Sequence, residues 1–254
     1  MLPSTYRMLA ARQATYWWQR ARRAMVVELL RRHRLPQGCR WLDLGCGPGG
    51  SLDMLEPFSP ALVVGADLSA LALGLARNGV PGAALVRADL NKQLPFGDDR
   101  FDVVTIFNVL YHQWVQREID VVTEAARVIR PGGLLVLTEP AFSLLSREMD
   151  IAAMGRRRYR RHQMAEFCRS VGLDVLLTSY FTSFGFLLLL GRNVVNRVVG
   201  RGGKVIASGT IDMVPLPRVL NEALFRLAVV EGGLVSRGYR MPFGTTAICV
   251  ARKL

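Results

Sequence analysis

The sequence predicts an α/β fold, a mostly parallel sheet with helices on both faces, and three observations carry that prediction. Short apolar runs of strand length at 41–44, 61–67, 84–90, 103–108 and 134–138 alternate with stretches of helical pattern, the arrangement that builds a parallel sheet. The first run leads straight into a glycine-rich turn, Gly45-Cys46-Gly47-Pro48-Gly49-Gly50. The 254 residues are 50% hydrophobic, enough for one full core with an added lid.

Residues 4–34 read as one or two helices. Trp17 and Trp18 are adjacent and do not share a helix face, so one is expected on the core and the other in a pocket. The first strand, 41–44, ends where the backbone must turn sharply and let a ligand approach, hence the glycines. A helix is expected from Ser51, its unpaired N–H groups facing that ligand. This is the first βα turn of a Rossmann-like nucleotide site. Gly45, Gly47 and Gly50 fit G-x-G-x-x-G, a weak signal by itself. Asp43 adds information, because a carboxylate there repels a pyrophosphate and suits a cationic ligand.

The second strand ends in Asp67, 22 positions after Gly45 and near the spacing of a ribose-binding carboxylate. Ser69 remains to cap the following helix, 70–78. The third strand ends at Asp89-Leu90. The fourth leads into Asn108-Val109-Leu110-Tyr111-His112. Ligands in this architecture gather at strand C-termini, which brings Asn108, Tyr111 and His112 near the chemistry. His112 reads either as a general base or as a packing residue. A helix over 120–129 stops at Pro131-Gly132-Gly133, and the fifth strand follows.

Beyond Glu139-Pro140, five arginines in the six residues 156–161 read as a solvated face, with Tyr159 raising the alternative of substrate contact. A helix over 163–171 and a strand over 175–180 come next. An insertion over 184–240 is expected to hold an apolar helix (186–199), a glycine-rich basic link (200–204) and a helix after Pro217. The chain ends in a turn and a last strand. The expected division is a helical cap (1–36), a core (37–183 and 241–254) and a helical lid (184–240).

Net charge is +13 and uneven. Residues 1–40 carry nine Arg and one Glu, 41–150 carry eight basic and fourteen acidic residues, and 151–254 carry sixteen against five. An acidic core between two basic segments points to contact with phosphate, an anionic lipid surface or nucleic acid. Cys39, Cys46, Cys168 and Cys249 show neither metal spacing nor a disulfide framework, and no leader is evident, which together suggest a cytoplasmic protein. The charge-free stretch 175–191 is interrupted by Thr and Ser, and reads as a strand and an apolar helix rather than a membrane span.

Several motifs carry a family resemblance. Leu42-Asp43-Leu44-Gly45-Cys46-Gly47-Pro48-Gly49 resembles motif I of the class I, Rossmann-like S-adenosylmethionine-dependent methyltransferases. The 94–102 turn, L-P-F-G-D-D-R-F-D, and the 127–135 run, R-V-I-R-P-G-G-L-L, resemble those of a methyltransferase type 11-like bacterial subfamily. So do the Trp17-Trp18 opening with its arginines and the P-F-G-T-T-A-I-C-V-A-R-K close at 242–253. The resemblance implies a seven-stranded sheet with an antiparallel last strand, and S-adenosyl-L-methionine as cofactor. It implies that Asp43, Gly45, Cys46 and Gly47 line the cofactor, with Asp67 and Leu68 at the ribose and Asp89 and Leu90 at the adenine. It further implies Arg23 (or Arg22) at the methionine carboxylate; from their place at a strand end, Asn108 is expected to bind the cofactor near the methyl, and Tyr111 and His112 are the catalytic candidates.

Phe107-Asn108-Val109-Leu110 is not N-P-P-Y and no Pro-Cys pair is present, which argues against nucleic-acid methylation despite the basic charge. A small lipophilic or aromatic acceptor, such as a natural-product or lipid-linked intermediate, suits the apolar insertion. The alternatives are a cofactor-binding cyclase-type enzyme and an RNA methyltransferase. No metal is expected, and peripheral contact with a membrane or anionic surface stays open, as does the oligomeric state.

Overall fold

The computed structural model describes residues 1–145, 150, 154–198 and 216–254, with only the backbone of 192–198. Strands β1 (Arg40–Leu44), β2 (Leu62–Asp67), β3 (Ala84–Arg87), β4 (Phe101–Phe107), β5 (Ile129–Pro140), β6 (Leu173–Phe181) and β7 (Thr246–Lys253) form one sheet in the order β3-β2-β1-β4-β5-β7-β6. The pairings from β3 through β5 are parallel, and β7 runs antiparallel to both β5 and β6. The expected fold class is the observed one.

Side-chain alternation sends each strand's residues to two cores. Trp41, Val103, Leu134 and Val136 face a cluster with α2 (Trp17–Arg32) and a late helix, Arg218–Ser236. Leu42, Leu44, Val104, Ile106, Leu135 and Leu137 face the opposite cluster, with α4 (Glu118–Val128) and α5 (Arg161–Ser170). The remaining helices are α1 (Pro3–Arg12), α3 (Ala70–Gly79) and α6 (Ser183–Val198), and the late helix is α7. Thus α2 and α7, drawn from the expected cap and the expected lid, cover the same face of the sheet, with Ala21, Met25, Ala228 and Val235 buried there.

Two expectations change. No helix starts at Ser51: residues 51–55 form turns, followed by a short 3₁₀ turn, Glu56–Phe58. Only eleven residues separate Gly50 from β2, and Pro57 and Pro60 fall among them, each lacking a helix donor and clashing with the preceding turn. The 156–161 arginines are only in part a solvated face: Arg156 and Arg160 are exposed, but most of the run is anchored. Arg156 donates to the Val115 carbonyl, Arg157 to Glu118, Arg158 to Asp150 and the Ala141 carbonyl, and Arg161 to the Met241 carbonyl. The run fastens the crossover after β5 to the loop after β4. The 94–102 turn and the 127–135 run also meet: Arg127 bonds Glu124, Asp98 and the Leu94 and Phe96 carbonyls. The basic link at 200–204 lies outside the described residues.

Candidate cofactor and acceptor site

A cavity of about 650 Å³ opens at the C-terminal ends of β1, β2 and β4. Its floor is the glycine turn. Gly45 sits at φ +73°, and a Cβ there would lie 2.3 Å from Val109 Cγ2, so only glycine allows this approach of the turn to the loop after β4. The Gly45 and Cys46 N–H groups both donate to the Ala66 carbonyl, tying the turn to β2.

Asp67 closes β2. Its Oδ2 accepts the Gly47 N–H at 2.9 Å and its Oδ1 the Ser69 N–H at 2.8 Å. Burial raises its pKa, while these two donors oppose the rise. Each oxygen keeps a lone pair for a further donor. Ser69 caps α3 by accepting the Ala72 N–H, as expected.

Asp43 is 2% exposed and its pKa is raised to about 7, first by burial, with Asp67 adding to the rise and with Thr105 and Arg22 opposing it. Thr105 Oγ1 donates to Asp43 Oδ1 at 2.6 Å and accepts from Trp41 Nε1 at 2.8 Å. A buried relay therefore orients the carboxylate from the core side.

Of the two candidate arginines, the structure places Arg22 in the cavity and Arg23 outside its lining. Arg23 is paired with Asp53 at 2.5 Å and donates to the Gly50 carbonyl. The expectation for Arg23 is corrected by helix phase, since successive residues of α2 point about 100° apart. Arg22 is 5% exposed, donates to Ser51 Oγ at 3.2 Å, and lies 4.7 Å from the Phe107 ring centroid. Its Nε is buried with no hydrogen-bond partner among the described residues. Burial lowers its pKa to about 10, still cationic at neutral pH.

Asp89 and Leu90 line the cavity beyond β3, Asp89 Oδ1 accepting the Asn91 N–H at 3.0 Å. Leu68 lines it too and is half exposed. Asn108, at φ +56°, begins the loop after β4. That loop is held from below by Glu139, which is fully buried and accepts the N–H groups of Val109, Leu110 and Tyr111 at 3.0, 2.8 and 3.3 Å. Burial pushes the Glu139 pKa up to about 8 against those three donors. The clamp sets Tyr111 and His112 on the cavity wall, their ring centroids 4.3 Å apart.

Sequence reasoning missed Glu139 as a site element, although an acid closing an apolar strand was its visible signal. It also missed α1, whose Tyr6 and Leu9 line the cavity, followed by Gln13, which donates to the Pro48 carbonyl. Trp17 packs against the core and Trp18 lines the cavity, the expected division, and Trp17 borders the cavity as well. Both occupy the first turn of α2. Trp17, Leu188, Leu189, Leu216 and Leu224 make the far wall apolar.

Comparison with known proteins shows what the chain is similar to. Residues 42–137 match the model of a methyltransferase domain. The matched stretch, under half of the chain, runs from β1 into β5 and carries the glycine turn, Asp67 and Asp89. The chain is 37% identical over 114 residues to a trans-aconitate 2-methyltransferase of Azoarcus sp., covering 44% of each chain. It is 33% identical over 140 residues to the phthiotriol/phenolphthiotriol dimycocerosates methyltransferase 1 of Mycobacterium ulcerans, covering 53% of this chain and 51% of that one. It thus spans about half the length of these curated relatives. Its fold matches phosphoethanolamine N-methyltransferase 2 of Haemonchus contortus, solved in complex with S-adenosyl-L-methionine. The TM-score is 0.57 at 19% identity, over 90% of this chain and 52% of that one. Among the described residues no cluster of metal-ligating side chains occurs, and no helix is long and apolar enough to cross a membrane.

Proposed function

We propose that the protein transfers a methyl group from S-adenosyl-L-methionine to a small lipophilic or aromatic acceptor. One observation carries the reading: Arg22 Nε is buried without a partner in a cavity that also holds two buried carboxylates, Asp43 and Asp67. An amino-acid ligand with a carboxylate and cationic groups fits that set. NAD does not, because Asp43 opposes its pyrophosphate.

In this reading Arg22 holds the cofactor's carboxylate and Asp43 its ammonium. Asp67 accepts from the ribose hydroxyls, with Leu68 beside it, and Asp89 and Leu90 face the adenine. Gly45, Cys46 and Gly47 supply the close backbone surface. The bound cofactor supplies a methyl on a sulfonium, already a good leaving group, so the protein contributes chiefly position and water exclusion. Asn108 and Tyr111 orient the acceptor on a loop that Glu139 keeps rigid. His112 removes the acceptor's proton where the acceptor is a hydroxyl or an acidic carbon. Helix α1 caps the cofactor half, and α6 with the start of α7 forms the lid of the acceptor half.

Calorimetric titration with S-adenosyl-L-methionine and, separately, NAD tests the cofactor. Micromolar binding of the first alone is expected. Binding of NAD alone would sink the reading and point to an oxidoreductase. Formation of S-adenosylhomocysteine with a methylated product separates methyl transfer from a cyclase-type reaction.

A further inference from the structure

The apolar wall of the cavity does not stop at its mouth. Leu188 lines the cavity and is nevertheless 66% exposed, so cavity and outer surface are continuous there. Its neighbour Leu187 on α6 is exposed as well. On α7, Leu220, Ala223, Leu227 and Val230 are exposed at spacings of three and four, which puts them on one helix face. The two helices meet at the same rim: the Trp17 ring lies 5.6 Å from Phe184 at the start of α6, and the Trp17 N–H donates to Asn221 of α7.

The sequence of this region is net basic. Residues 184–240 carry eight Arg or Lys and three Asp or Glu. Of the three acids, Glu231 is buried and accepts from Ser183, and Glu222 is paired with Arg20 and Arg226. Arg226, 79% exposed at its side chain, stands beside the apolar stripe. An exposed aliphatic stripe with cations at its edge matches the interface of an anionic bilayer, which takes the leucines into its acyl boundary and the arginines at its headgroups. Phosphate contact with a nucleic acid gives no use for the leucines.

We infer that the α6–α7 face docks on an anionic lipid bilayer and that the methyl acceptor is a lipid-anchored molecule entering the cavity past Leu188 from that surface. The inference rests on the methyltransferase reading for the acceptor's role, while the docking stands by itself.

The test is co-sedimentation of the full chain with vesicles of phosphatidylcholine alone and of phosphatidylcholine with phosphatidylglycerol, at low and high salt. S-adenosyl-L-methionine titration runs in parallel. The variant carries Leu187→Asp and Leu220→Asp, two exposed positions outside the cavity lining. Wild type is expected to sediment with the anionic vesicles and to be released as the Debye length falls from about 30 Å to about 3 Å. The double variant should bind them at least about tenfold more weakly, since each leucine withdrawn from water is worth about that factor. Its cofactor affinity should be unchanged, which shows that it is folded.

No sedimentation of wild type with either vesicle overturns the docking. Equal sedimentation of wild type and variant also overturns it, by showing adsorption through charge alone. Cofactor binding without vesicle binding leaves the methyltransferase reading standing and removes this one. Vesicle binding without cofactor binding does the reverse.

Discussion

The cavity wall contributed by β1, β2 and the 108–112 loop, with Arg22 of α2, presents glycine backbone and charged groups, whereas the wall contributed by the first turn of α2, α6 and α7 presents indole rings and leucines. In the first, nearly every polar atom is held by another element: Asp67 by the glycine turn, Asp43 by Thr105, the 109–111 amides by Glu139. In the second, Leu188 and Leu189 belong to an apolar helix facing both cavity and surface. The difference teaches that one wall recognises by fixed donors and acceptors and the other by shape and volume. Cofactor variants should therefore show large, local, electrostatic effects, and acceptor variants should show graded ones.

The sharpest break of that contrast lies at the junction of the two walls. His112→Ala is expected to lower turnover by roughly 10²–10⁴-fold, the usual contribution of a general base, with cofactor affinity unchanged by calorimetry. Undiminished turnover returns His112 to a packing role. Next in size, Asp67→Ala should weaken S-adenosyl-L-methionine binding by about 1.5–3 kcal/mol, and it also strips the Gly47 and Ser69 amides of their acceptor. Unchanged affinity would remove the ribose assignment.

Adjacent arginines then discriminate inside from outside. Arg22→Met should cost cofactor affinity about 1.5–3 kcal/mol. Arg23→Met, whose partner Asp53 is 40% exposed at its side chain, should cost no more than about 1 kcal/mol of stability and leave cofactor binding intact. Equal losses of affinity would put both arginines on the ligand.

The smallest expected effect is a pH slope. Asp43 has its pKa raised to about 7, so in the free protein it binds a proton that the unfolded chain has already lost. Its contribution to stability is full below the ordinary carboxylate pKa and is lost as pH rises through about 7. A cationic ligand needs the ionised form. Cofactor affinity should consequently fall by up to about tenfold per pH unit below about 7, measured by calorimetry. Asp43→Asn should flatten that slope. Thr105→Val, which removes the donor holding the pKa down, should move its onset to higher pH.

What was legible in the sequence follows this division. The wall built from strand ends was read almost residue by residue, because local pattern fixes where a strand stops and a glycine turn begins. Asp43, Gly45, Asp67 and Asp89 stand where those ends fall. The helix expected after Gly50 failed because the short, twice-proline-interrupted segment cannot sustain one, and the prolines were there to be read. The choice between Arg22 and Arg23 depended on the rotation of α2 about its axis, which packing of Met25, Val26 and Leu29 sets. The anchoring of Arg157, Arg158 and Arg161 was not legible in the run, because partners such as Glu118, Ala141 and Met241 lie far off in the chain.

By itself the sequence determined the class of the sheet, the order of its motifs and the carboxylates that line the cavity, since periodicity and turn chemistry act over a few residues. Only the tertiary structure decided which arginine enters the cavity, that Glu139 clamps the loop carrying His112, and that α2 and α7 share one face. Those outcomes depend on contacts between segments that are far apart in the chain, and local pattern carries no information about them.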